Sequence, residues 1–353
     1  MAETLTISEN LVAESRLPQV DFNNIPFGRV YTDHMFVADY VNGEWTDLRI
    51  VEYGNMSLSP ANMALHYGQS IFEGMKAFKD EEGNVLMFRP EDNAKRLNRS
   101  AVRMCMPELP VDIFMSGLTR LLEIDRGWVP NLPGTALYIR PYMFAMDEYV
   151  GLKPSQNYRF MIFACPVGAY YSEPVSVKVE EEFTRAAAGG TGEAKAAGNY
   201  ASSLYPAKLG QQQGYDQLIW TDGIEHKYIE EAGTMNLMFV IDNELYSPAL
   251  SGTILPGITR ASVLQVAEEW GVKVHVGRLA VETVINAHRE GKLQEVFGVG
   301  TAVTVSSVSK IGYRGEDFEL DMENRALSQK IATYFEEIRY GRKADSHGWV
   351  IKL

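Results

Sequence analysis

VLMFRPEDNAKRLNRSAVRMC, residues 85–105, holds the decisive change of period in this chain. It opens on the continuous apolar run Val85–Phe88, suited to a strand buried on both faces. Arg89-Pro90 breaks the run, and Pro90 fits the first turn of a helix, where its missing N–H would have had no partner. Glu91 and Asp92 then stand at the positive end of the helix dipole. Leu97, Ala101, Met104 and Cys105 recur at i, i+4, i+7 and i+8, so the helix should bury one face and Cys105 with it. A buried strand passing straight into an amphipathic helix is a mixed architecture on its smallest scale.

The flanking segments extend it. Upstream, MFVADYVNGEW (35–45) reads as a hairpin around Asn42-Gly43, and a second turns across Gly83-Asn84. Downstream, a helix over 111–125 buries Ile113, Phe114, Leu118, Leu121 and Leu122. ALYIRPYMF (136–144) and RFMIFACPV (159–167) are β-branched and aromatic enough for buried strands. Pro174 then stops extended structure and marks a linker at 172–175. It divides a smaller N-terminal domain, 1–171, from a larger C-terminal domain, 176–353. The second half reads as a strand (175–183), a Gly/Ala-rich stretch (186–199), a helix (201–213) and a strand (216–222). A hairpin around Asp242-Asn243 follows. A helix from Ile258 then buries Val263, Val266, Ala267 and Trp270 and stops at Gly271. KVHVGRL, a helix bearing Ala287, EVFGVGTAVTVSSV and a helix over 323–340 complete the chain. Strands and helices mingle without a βαβ rhythm, so the fold class is α+β rather than doubly wound α/β.

Composition limits what such a fold can do. The 353 residues carry 33 Lys+Arg against 46 Asp+Glu, a net charge of −13, which argues against nucleic acid as a partner. That length is more than one core usually serves, in keeping with two domains. The N-terminal residues lack a secretory pattern and no run of about 18 apolar residues occurs, so a soluble, cytoplasmic protein off the membrane is expected. Two cysteines, Cys105 and Cys165, build neither a disulfide framework nor a zinc site. The histidines are scattered, so no metal is expected, and His66 reads as a packed histidine.

Three segments could carry chemistry. GGTGEAK (189–195) lacks the Gly before and the Ser or Thr after its lysine that a phosphate-binding P-loop needs. Lys195 is then either a solvated loop lysine or an amine held where backbone closely approaches a flat ligand, with small neighbours permitting the approach. LPGITR (255–260) starts a helix at Gly257-Ile258-Thr259, which is either a plain cap or an anion site. Gly300-Thr301-Ala302 offers a third tight turn with a hydroxyl.

These turns belong to a longer ordered set: HYGQSIFEGMKAF (66–78), LMFRPEDNAKRLNRSA (86–101), LYIRP (137–141), CPVGAYY (165–171), GNYASS (198–203), EEAGTMN (230–236), LPGITR (255–260) and GTAVT (300–304). In this order the set resembles the branched-chain amino-acid aminotransferases, fold-type IV enzymes that use pyridoxal 5′-phosphate, over nearly the whole chain. The N-terminal extension and EGMKAF resemble the family's larger, eukaryotic-like branch. The resemblance implies two domains with the cofactor between them, and Lys195 as the lysine that holds the cofactor and moves the α-proton. It implies Glu231 at the pyridine nitrogen and Tyr200 at the phenolic oxygen. It implies Arg96 at the phosphate with the N–H groups of Ile258 and Thr259 and with Thr301, and Thr234 close by. Choosing Glu231 over Glu230 rests on the family's E-x-G-T pattern. By their residues alone, Arg96 would read as a solvated charge and Glu231 as one of a surface acidic pair.

The same resemblance implies an aromatic substrate pocket of Phe27, Phe72, Tyr170 and Tyr200, with Thr301 and Ala302 at its turn. Tyr67, Val150 and Leu152 would reach the site of a partner subunit, so a homodimer is implied. Such a pocket gains about 0.8 kcal/mol per buried CH₂, which suits leucine, isoleucine and valine and separates them poorly. The second substrate, usually 2-oxoglutarate, brings an extra carboxylate, for which Arg140 with Tyr138 and Tyr67 is the candidate; a buried ion pair is the other reading of Arg140. The implied reaction is a two-stage amino exchange in branched-chain amino-acid metabolism, either making or degrading those amino acids. A D-amino-acid aminotransferase, an aminodeoxychorismate-lyase-like enzyme and a non-catalytic scaffold are the alternatives on the same fold. Some animal members carry a C-x-x-C after the G-T-A turn; Val303 and Ser306 stand there, and with both cysteines expected to be buried no thiol switch is expected.

Overall fold

Alternation along the strands sorts the chain into two β-sheets, each with its own buried apolar side, in a computed structural model that describes residues 5–168, 173–301 and 304–353. Two compact units result. One takes the described residues of Met1–Tyr170 with Ala194–Gly198 and Glu337–Leu353; the other takes those of Tyr171–Glu193 and Asn199–Glu336. The units therefore do not follow a single linear cut at 172–175. The lysine segment that a linear division gives to the C-terminal half packs in the first unit, because Ala194 and Ala196 are small enough to join its apolar core.

In the first unit the strands are β1 (Ser8–Glu9), β2 (His34–Val41), β3 (Glu44–Glu52), β4 (Ser70–Phe72), β5 (Met75–Lys79), β6 (Val85–Phe88), β7 (Ala136–Ala145) and β8 (Tyr158–Val167). They lie in the order β1-β3-β2-β8-β7-β5-β6, closed at the edge by Val350–Lys352, while β4 also pairs with β7. Helices α1 (Met63–Tyr67), α2 (Pro90–Arg103) and α3 (Val111–Ile124) accompany them. One sheet face sends Phe36, Ile71, Ala77 and Ile139 into a core with Leu97, Phe114 and Leu118 of α2 and α3. Gly117 of α3 is needed there, since a Cβ would lie 2.5 Å from the Phe36 ring. The opposite face carries Phe72, Tyr138, Tyr142 and Arg140, because residues two apart on a strand share a side and Phe72 pairs with Tyr142.

The second unit is built on β9 (Val175–Val179), β10 (Gln217–Thr221), β11 (Ile229–Ala232), β12 (Met235–Ile241), β13 (Glu244–Pro248), β14 (Val274–Gly277), β15 (Leu293–Gly300), β16 (Thr304–Tyr313) and β17 (Glu316–Glu319). The path β11-β10-β9-β16-β15-β12 closes when β12 pairs again with β11, so six strands form a barrel. Asp242 and Asn243 both take positive φ, 51° and 63°, in the hairpin between β12 and β13. Helices α4 (Ala197–Ser202), α5 (Leu204–Gln212), α6 (Ile258–Glu269), α7 (Val281–Arg289) and α8 (Ala326–Arg339) are the remaining α-helices of the described residues. The fold is α+β and mixed, as the absence of a βαβ rhythm requires.

Several local expectations differ from the structure. The strand from 175 ends at Val179, because the Glu180 carboxylate accepts the N–H groups of Glu182 and Phe183 and turns the chain. The helix expected over 201–213 is two, α4 and α5, divided at Ser203. Trp270, expected in the core, is half-buried at the end of α6, its ring 5.4 Å from that of Tyr334. His66 is exposed, its Nε2 2.7 Å from the Pro60 carbonyl, rather than packed. Cys105 is exposed as well: α2 ends at Arg103 and Cys105 takes φ +53°, so the helical period that aimed it inward no longer applies. Tyr170, Ser172 and Ala302 lie outside the described residues. Among those described, no helix is long and apolar enough to cross a membrane, and no cluster of metal-ligating side chains occurs.

The two thiols should differ sharply in reactivity. Burial pushes Cys165 up to about 11, whereas Cys105 stands in solvent. Titration with a thiol-exchange reagent is expected to modify one cysteine per native chain and two after denaturation, and Cys105→Ser should remove the fast phase.

Candidate active site

Lys195 is fastened to the first unit by its backbone. Its carbonyl accepts the Phe72 N–H at 3.0 Å, its own N–H donates to Ser100 Oγ at 2.9 Å, and Ala196 bridges Ile71. Ala196 thereby faces the core with Ile71, and Lys195 takes the side that Phe72 occupies. The amine lies 4.9 Å from the centre of the Phe72 ring. Arg140 comes to the same ring, its guanidinium carbon 4.7 Å away, and donates from Nη2 to the Tyr138 hydroxyl at 3.1 Å. Phe27 meets Tyr138 edge-on at 5.7 Å. The first unit thus gathers Lys195, Phe72, Arg140, Tyr138 and Phe27. Arg140 makes no buried ion pair among the described residues; its buried Nε donates to no protein acceptor there. Tyr67 is exposed at the end of α1.

Arg96 is not a solvated charge. It is 4% exposed on α2 and holds Glu73, which is fully buried, through Nε and Nη2 at 2.8 Å each. Two parallel charge-assisted bonds fix both side chains. Glu73 went unnoticed in the sequence, although it stands in the FEGM turn, where a carboxylate between apolar neighbours is itself a signal.

In the second unit Glu231 is likewise buried, on the wholly buried strand β11. Arg185 Nε lies 2.8 Å from it, and the Leu255 N–H donates to its other oxygen at 3.2 Å. The same arginine donates to the carbonyls of Gly192 and Thr253, so one guanidinium ties three segments to the carboxylate. Glu230 points the other way along the strand, where it accepts the Thr253 hydroxyl, and desolvation holds its carboxyl above the ordinary range. The pair is therefore not a surface pair, and the two carboxylates have separate surroundings. The E-x-G-T turn needs its glycine: Gly233 has φ +52°, and a Cβ would lie 2.1 Å from Gln217 Oε1. Thr234 after it is exposed.

Helix α6 starts without a side-chain cap at Gly257 and has no acidic residue in its first turn. Its positive end is thus left uncompensated, with Ile258 and Thr259 supplying the first N–H groups. Asn236 shapes the approach: it donates to the Leu255 carbonyl at 3.0 Å and would be struck by a Cβ at Gly257. Tyr200 is half-buried on α4, beside Asn199, which exchanges two 2.7 Å bonds with Thr191. Thr301 is half-buried just past β15. Arg185 and Asn236 were missed in the sequence because nothing in their neighbours marks them.

Residues 70–311 match the family described as Amino-transferase class IV. The chain belongs to the class IV aminotransferases. It is 44% identical over 347 residues to branched-chain-amino-acid aminotransferase 2 of Bacillus subtilis, covering 97% of this chain and 96% of that one. It is 43% identical to branched-chain-amino-acid transaminase 1 of the same organism, covering 94% and 95%. Among solved structures, the branched-chain amino acid aminotransferase of Escherichia coli superposes with TM-score 0.73 at 28% identity over 90% of this chain and 98% of that one. The fold is also that of the branched-chain aminotransferase from the archaeon Thermoproteus uzoniensis, with TM-score 0.76 at 24% identity over 90% and 99%.

Taken unit by unit, the groups present suit pyridoxal 5′-phosphate. In the second unit Glu231 is a buried, positioned carboxylate of the kind a protonated ring nitrogen needs, and the open start of α6 suits a phosphate; in the first, Lys195 presents an amine beside an aromatic ring.

Breaking the Arg96–Glu73 pair from one side should be costly, because it strands the other charge in the interior. Glu73→Ala leaves a buried guanidinium without its carboxylate and is expected to cost about 3–5 kcal/mol, whereas Arg96→Ala with Glu73→Ala together should cost less than the sum. Urea unfolding of the three variants measures both numbers.

Proposed function

We propose that this protein is a branched-chain-amino-acid transaminase that moves the amino group of leucine, isoleucine or valine to 2-oxoglutarate. The observation that carries the chemistry is the clasp on the Lys195 peptide, which holds an amine beside Phe72 and Arg140. The substrate class is supported by similarity to the two Bacillus subtilis enzymes along nearly the whole chain.

Bound to this chain, pyridoxal 5′-phosphate supplies an electron sink for the pair left behind when the α-proton departs. The chain's own residues do the rest. Lys195 holds the cofactor and carries the proton at the substrate α-carbon. Glu231, fixed by Arg185 and the Leu255 N–H, holds a proton at the ring nitrogen. Tyr200 donates to the phenolic oxygen. The N–H groups of Ile258 and Thr259 bind the phosphate with Thr301 and with Arg96, which Glu73 keeps rigid; Thr234 lies at the turn after Glu231. Phe27, Phe72 and Tyr138 exclude water from an aliphatic side chain, with Tyr170 and Ala302 completing the wall. Arg140 receives the second carboxylate of the amino acceptor, and its buried Nε supports that role, since an arginine in such surroundings gains from an anion. A second copy of the chain takes up Tyr67, Val150 and Leu152; exposures of 73% for Val150 and 88% for Leu152 support a homodimer.

Amino transfer from L-leucine to 2-oxoglutarate tests the reading directly. Lys195→Ala should lower kcat at least 10³-fold, while turnover with D-alanine and none with L-leucine would overturn the substrate assignment. Arg140→Met should raise KM for 2-oxoglutarate by tenfold or more and leave KM for L-leucine within about threefold.

A further inference from the structure

A cavity separate from the groups of the proposed reaction lies in the barrel unit, on the side of β11 that Glu230 faces. Its volume is about 210 Å³, and it is lined by Glu230, Asp222, Tyr228, Thr253, Ile224 and Ile254, among others. That is room for about seven waters, or a small organic molecule. Its floor holds an unmet acceptor: Glu230 is 6% exposed, Oε1 takes the Thr253 hydroxyl, and Oε2 is buried with no hydrogen-bond partner. A buried carboxylate oxygen without a donor costs free energy unless something brings one.

The lining specifies the donor. Asp222 is a second carboxylate, held down to about 2 because, against some desolvation, the N–H groups of Tyr228, Glu225 and Lys227 converge on it. The cation lining the cavity, Arg278, already rests on the Tyr228 ring at 3.7 Å. Arg185 acts on Glu230 from the far side while it holds Glu231, so among the lining residues two acids face one cation, and an arriving positive charge is favoured. Ile224 and Ile254 add apolar lining, and Ile224, 85% exposed, stands at the mouth.

We propose that this cavity binds a small primary ammonium ion with a short aliphatic body, its nitrogen donating to Glu230 Oε2 and its carbons packed against Ile224 and Ile254. Thr253 connects the site to the reaction machinery: its hydroxyl donates to Glu230 while its carbonyl accepts from Arg185, the partner of Glu231. The site stands on residues of the barrel unit alone, so it holds whether or not the substrate assignment does.

Isobutylammonium chloride is the probe, and the protein is taken with pyridoxamine 5′-phosphate bound, so that the amine has no aldehyde to react with. Crystals soaked in the probe should show its nitrogen within hydrogen-bond distance of Glu230 Oε2. Calorimetry should give saturable binding that weakens at least tenfold in Glu230→Gln and is abolished by Ile224→Arg, which puts a cation in the mouth at an exposed position. Water alone at Glu230 in the soaked crystals would overturn the proposal. So would binding that both variants leave unchanged while their thermal unfolding matches the parent.

Discussion

The Lys195 peptide is held as if it were one more strand of the first unit's sheet. The Phe72 N–H, the Ser100 hydroxyl and the Ala196–Ile71 bridge fix its backbone from three directions. A lysine side chain on a free loop would sample many rotamers, and positioning it for proton transfer would cost that entropy at each turnover. Anchoring the backbone leaves only the side-chain torsions to order. The small residues around Lys195 follow from this constraint: Ala194 and Ala196 enter a core formed mainly by sheet and helix side chains.

The remaining charges are organised by compensation. Both buried carboxylates that serve the proposed amino transfer have an arginine at 2.8 Å: Glu73 with Arg96, and Glu231 with Arg185. Each pair sits in a low-dielectric interior where either partner alone would be strongly disfavoured, so the pairs lock geometry more than they add stability. Glu230 departs from the pattern. It accepts a hydroxyl and no guanidinium hydrogen bond, and burial raises its carboxyl above the ordinary range. Adjacent residues on one strand thus have opposite electrostatic settings, because a strand presents neighbours to opposite faces.

Local period served well where packing repeats along one element. Pro90 opening α2, the helix over Val111–Ile124, the hairpin at Asp242-Asn243 and the start of α6 were all legible, since caps, turns and apolar stripes depend on near neighbours. Period failed at ends. Cys105 lies two residues beyond the last residue of α2 and so escapes the stripe that seemed to include it, and Glu180 ends a strand by bonding two N–H groups ahead of it. The ordered motifs pointed to Lys195, Glu231 and Arg96 as a set, yet nothing local indicated Glu73, Arg185 or Ser100 as the groups that hold them.

The sequence by itself determined the class of chemistry and the mixed fold, because motif order, the small-residue lysine segment and the alternation of periods are properties of the chain read along its length. Only the tertiary structure decided which unit the lysine segment packs in, that Arg96 and Glu231 are buried and paired, and that Glu230 faces a cavity of its own. Those outcomes depend on contacts between residues distant in sequence: Arg96 with Glu73, Glu231 with Arg185, Lys195 with Ser100. Burial and pairing are set by what the fold brings alongside a side chain, and no local pattern encodes that.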